Sequence, residues 1–242
     1  MKKKILSLAI VIALLAIMVG STLAYFSAED EVTNTFTVGS VKIEIYENGA
    51  AVESDVKEFD KPLVPVVNTQ DPSKDESYQI KAVEVKNTGN NAAYIRTHIA
   101  IPTELVGYLY LDLDETGWTR QADSIITYTG DGKSYTVFTY DYNEAVLPGH
   151  YTSKLLKGAY LGSNVDLKEQ EDGDLELVIR TNGQITDESN FVAHSKGTNG
   201  YSSAKVNILV ASQAIQAQGF ENGATDALNT GFAANPWASV AP

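Results

Sequence analysis

The sequence predicts an all-β protein, an antiparallel β-sandwich preceded by a short N-terminal helix. Three observations carry this. Short runs of alternating apolar and polar residues recur along the chain, turns rich in Gly, Asn and Pro separate them, and no long helical periods are interleaved with them. The chain has 242 residues and no Cys. Disulfides, Cys-based metal sites and thiol catalysis are therefore absent, and a single β-rich domain of this length buries about 70% of its unfolded surface without staples.

The helix comes first. Residues 1–4 are Met followed by three Lys, and residues 5–19 are apolar apart from Ser7. Gly20, Ser21 and the small-residue pattern Thr22-Leu23-Ala24 follow. This is the layout of a secretory signal peptide over residues 1–24, with cleavage expected between Ala24 and Tyr25. Fifteen helical residues reach about 22 Å, short of a hydrocarbon core of about 30 Å. Membrane contact is thus expected only through an uncleaved signal segment, and the product is expected outside the cell.

Strands follow in order. In VTNTFTVGSVKIEIYENG, residues Val32, Phe36 and Val38 share one face of an extended chain, and after Gly39 the apolar set shifts to Val41, Ile43 and Ile45. Two period-2 runs offset at a glycine predict strand, bend, strand, with the turn Glu47-Asn48-Gly49 closing the second. Residues 59–76 hold three Pro among charges and predict a long loop inserted in the domain. A strand over 78–86, a turn over 87–91 and a strand over 94–101 predict a hairpin. A second hairpin is predicted from 124–129 and 134–142 around Gly130-Asp131-Gly132. Further strands are expected at 150–157, 175–181 and 204–213, the last with Val206, Ile208 and Val210 inward, and a short helix near 225–232. About eight or nine strands at this spacing describe a sandwich.

Charge and motif content narrow the function. Asp+Glu number 31 against Lys+Arg 18, a formal net charge of −13, and the three leader Lys make the remainder more acidic still. Such a surface repels phosphate backbones and anionic membranes, so nucleic acid is not an expected partner. The three His are scattered at 98, 150 and 194, and neither an HExxH zinc helix nor a G-x-S-x-G nucleophile elbow is present. No catalytic residue is assigned. One stretch imitates a calcium loop: Asp112, Asp114 and Thr116 supply oxygens at positions 1, 3 and 5, Gly117 stands at 6 and Asp123 at 12. Against this, position 12 is Asp where a bidentate Glu is usual, and Arg120 stands at position 9. No other cofactor is indicated.

The segment TLAYFSAEDEVTNTFTVGSVKIEI resembles the junction of signal peptide and first strand in the TasA/camelysin family of bacterial exported proteins. VEVKNTGNNAAYIR, YDYNEAVLPGHYTSKLL and VNILVASQAIQAQGF are similar to later segments of that family. The resemblance implies a jelly-roll-like sandwich over 39–242 and processing by a SipW-type signal peptidase. For the TasA branch it further implies subunits of biofilm matrix fibres, joined head to tail by strand donation, with a matrix accessory protein as a further partner. The donated stretch would be residues 25–38, with Phe26, Val32, Phe36 and Val38 as its pocket residues, although Asn34 falls on the same face. Two other functions are carried alongside: a secreted adhesin or ligand-binding sandwich that takes calcium, and the metallopeptidase activity ascribed to camelysin, for which no zinc motif is found here.

Overall fold

The computed structural model describes residues 27–30, 41–52, 56–58, 64–68, 70–197, 200–204, 206–232 and 236–237. The signal segment, the Ala24/Tyr25 junction and the residues Phe26, Val32, Phe36 and Val38 lie outside the described residues. So do the strand expected across 32–38 and part of the 59–76 loop.

The described chain is all-β with one short helix and three antiparallel sheets. Strands in chain order are β1 Ser27–Asp30, β2 Ile43–Glu47, β3 Ala50–Ala51, β4 Val56–Glu58, β5 Gln79–Asn87, β6 Ala93–Pro102, β7 Leu109–Leu113 and β8 Trp118–Arg120. They continue with β9 Ser124–Thr127, β10 Ser134–Tyr142, β11 Leu156–Leu161, β12 Val165–Glu169, β13 Leu175–Thr181, β14 Gln184–Gly197, β15 Gly200–Ser203 and β16 Asn207–Gln216. Helix α1 spans Ala224–Gly231. The first sheet runs β1-β16-β6-β10-β8, with β4 also on β16 and β9 also on β10; the second runs β3-β2-β5-β11-β7; the third is β12-β13-β14-β15.

The first two sheets face each other across a shared core. Ile99 and Ile101 of β6, Tyr140 of β10 and Ile208 and Val210 of β16 meet Val83 of β5, Leu156 and Ala159 of β11 and Leu109 of β7. The third sheet closes one end through Val165, Leu177 and Phe191. The first sheet is covered on its other face as well: Ile215 packs on Ala224, Ala227 and Leu228 of α1, and Leu209 and Ala211 pack with Trp237. Gly231 belongs to this packing, since a Cβ there would stand 2.8 Å from the Ile215 side chain.

One predicted hairpin is not a hairpin. β5 and β6 do not pair: β5 lies between β2 and β11, and β6 between β10 and β16. The turn between them carries the chain across the sandwich from one sheet to the other. Asn87 holds this corner, its side-chain amide donating to the Asn91 carbonyl at 2.7 Å and the Val146 carbonyl at 2.8 Å, while Thr88 and Gly89 N–H donate to the Lys42 carbonyl. The second predicted hairpin forms as expected from β9 and β10, with Gly132 at φ +71° in its turn. The turn after β2 also forms, with Asn48 and Gly49 both at positive φ, the pairing a tight hairpin requires. The strand expected over 150–157 is shorter and later: Tyr151 makes only an isolated bridge to Lys86 before β11 begins.

Candidate functional site

β16 is buried on both faces, which explains why ILVASQAIQ reads as a near-continuous apolar run rather than an alternation. Ser212, Gln213 and Gln216 are paired inside, while the side-chain oxygen of Asn207 is buried without a hydrogen-bond partner. Ser212 and Thr97 share a hydroxyl hydrogen bond of 3.0 Å, Gln213 Oε1 accepts from His98 Nε2 at 3.0 Å, and Gln216 Oε1 accepts from Asn91 Nδ2 at 3.2 Å. With that tautomer the Thr139 hydroxyl donates to His98 Nδ1 at 2.9 Å. Burial holds the His98 imidazole down at about 4, with Arg96 adding to the effect and the Gln213 hydrogen bond and Asp141 opposing it.

One long side of β16 is bonded along β6 from Leu209↔Ala100 to Gln216↔Ala93. The other side is an edge covered by two short strands placed end to end. β1 pairs there as Ser27↔Ile215, Ala28↔Ala214, Glu29↔Gln213 and Asp30↔Ser212. β4 pairs as Val56↔Leu209, Lys57↔Ile208 and Glu58↔Asn207. The SAED of β1 carries no large apolar side chain, so backbone hydrogen bonds are its means of attachment.

The residues of the imitated calcium loop take separate partners. Asp112 Oδ2 accepts from the Tyr78 hydroxyl at 2.7 Å. Asp114 accepts from Thr116 N–H at 3.1 Å and pairs with Lys157 at 3.0 Å; its carboxyl is held down at about 2, first by the Thr116 hydroxyl and then by Lys157 and the Thr116 N–H. Asp123 forms an ion pair with Arg120 at 2.9 Å. Among the described residues no three His, Asp or Glu side chains gather as a metal site.

Two other surface features stand out. On the second sheet the ring of Tyr160 lies 5.6 Å from Tyr110 and 6.2 Å from Tyr78, and Lys86 Nζ sits 5.1 Å from the Tyr151 ring and 5.8 Å from that of Tyr46. Ile80, on the same sheet, is 71% exposed. An apolar cleft is lined by Val64, Leu105, Leu161, Leu177, Phe191 and Val206. Sequence reasoning singled out neither, because both draw residues from strands far apart in the chain.

No family model, no curated protein and no solved structure matches this chain.

Proposed function

We propose that this chain is an exported structural subunit that assembles into extracellular matrix fibres by strand donation. The observation that carries the reading is the pairing of Ser27–Asp30 on the edge of β16: a stretch just after the expected cleavage point lies on a sheet edge. A strand of four residues makes roughly four ladder bonds worth about 0.5–1.5 kcal/mol net each against an ordering cost of about 1–2 kcal/mol per residue, so it is weakly held, and its exchange for the same segment of another copy, which remakes the same bonds, is nearly neutral. In the fibre, cleavage by a SipW-type signal peptidase after Ala24 frees residues 25–38, which complete the jelly-roll-like sandwich of the next subunit. Such head-to-tail addition does not close on itself, and filaments result.

A second reading, a secreted ligand-binding sandwich, is favoured by the exposed Tyr110 and Tyr151 rings, each 42% exposed. The camelysin-type peptidase reading draws no support from the arrangement of the described residues.

Electron microscopy of residues 25–242 beside residues 35–242, each checked by circular dichroism, separates these. Filaments from the longer form and folded single chains from the shorter are the expected result. Folded single chains from both would remove the fibre reading in favour of the ligand-binding one.

A further inference from the structure

Both β1 and β4 run antiparallel to β16, so they travel in the same direction along one edge. A strand continuing past Asp30 in the register of β1 advances one partner per residue. It sets Glu31 opposite Ala211 and Val32 opposite Val210, then Thr33, Asn34 and Thr35 opposite Leu209, Ile208 and Asn207. Those last three partners are the ones held by Val56, Lys57 and Glu58. A sheet edge bonds one strand at each position, so β4 and an extended N-terminal segment exclude each other.

We propose that β4 is a displaceable stop on this edge, and that the docking surface for a second copy is the whole of 206–215, taken by that copy's residues 27–36 as this chain's own β1 exchanges and β4 is pushed off. This rests on the strand-donation reading above. Directly opposed residues share a face, and Val206, Ile208, Val210 and Ala214 all belong to the interior of the sandwich. A donated Val32 therefore lies beside Val210, and Phe36 comes level with Val206. With β4 in place the donor ends at Val32 and forfeits Phe36, one of its two Phe side chains. Displacement does not unravel the neighbouring loop, because Val66 N–H donates to the Leu161 carbonyl at 3.1 Å and Asp75 accepts from the N–H groups of Val67 and Asn68 at 2.8 and 3.0 Å.

The test uses residues 25–242 with synthetic peptides of residues 25–38 and 25–32, read by fluorescence anisotropy and by hydrogen exchange of segment 53–59. The longer peptide is expected to raise exchange at 53–59 about tenfold or more, and the shorter to leave it unchanged. Adjacent residues alternate in facing the partner strand, so the double change Val56→Pro, Lys57→Pro removes a β16-facing N–H whichever phase applies. It is expected to tighten binding of the longer peptide about tenfold or more and to leave the shorter unaffected. Capture of the longer peptide with unchanged exchange at 53–59, or with equal affinity in the two proteins, overturns the stop and leaves strand donation standing. No capture of either peptide, together with no filaments from residues 25–242, overturns both.

Discussion

Arg96 and Asp141 stand directly opposite each other on β6 and β10 and form a two-point ion pair in the interior: Nε donates to Oδ1 at 2.6 Å and Nη2 to Oδ2 at 2.9 Å. Nη2 also donates to Asn229 Oδ1 of α1 at 2.7 Å. The pair thus fastens the helix to the outer face of the first sheet.

Removing one partner leaves a buried charge uncompensated. Asp141→Asn is expected to cost about 3–5 kcal/mol in urea unfolding, while Arg96→Met with Asp141→Leu recovers most of that loss. A single variant as stable as the parent would show that the pair is hydrated and not buried.

The His98 imidazole is held at about 4 in the fold against 6.5 unfolded. Between those values the unfolded chain binds a proton that the folded chain does not, so this contribution is complete above pH 6.5 and is lost as the pH falls towards 4. Its size is about 3 kcal/mol. In His98→Gln the difference in unfolding free energy between pH 7 and pH 4.5 is expected to shrink, and an unchanged pH profile would contradict the assignment.

Tyr78 lies over Gly158, where a Cβ would also meet the Gln79 carbonyl oxygen at 2.5 Å. Gly158→Ala forces the Tyr78 ring and the β5 backbone to shift and is expected to lower stability by about 1–3 kcal/mol. Tyr78→Ala in the same background frees the ring's space but not the carbonyl's, so the two losses combine less than additively in a double-mutant cycle.

The carboxylates of Asp112, Asp114 and Asp123 are each committed to a different donor. Millimolar calcium is therefore expected to leave the thermal midpoint of the protein unchanged. A rise in the midpoint that Asp114→Asn abolishes would mean these side chains leave their partners for the ion.

What was legible in the sequence is what is encoded locally. Gly132 and the Asn48-Gly49 pair dictate tight turns by their backbone angles, and the hairpins around them form. The inward set Val206, Ile208 and Val210 and the helix near 225–232 were readable from apolar spacing. The 87–91 turn was not, because period-2 strands either side of an Asn-rich turn look alike whether they pair or cross between sheets. The choice is made by Asn87 reaching Val146, a residue distant in the chain. β14 escaped notice because QITDESNFVAHSKG buries only Ser189 and Phe191 and shows no alternation. SAED of β1 has no apolar pattern, and an extended strand there was expected only from the family resemblance. The partners of the imitated calcium loop were equally illegible, since Tyr78 and Lys157, which bond Asp112 and Asp114, lie far away in sequence.

β16 sits between strands drawn from the beginning of the chain and β6, yet it is nearly the last element to be made. The first sheet therefore cannot be completed before residues 207–216 are made. β6 and β1 cannot gain this neighbour until residue 216 has emerged, and contacts of such long sequence separation form slowly. A polypeptide built in this order completes its second and third sheets from earlier residues but leaves β6 with an open side until β16 is made.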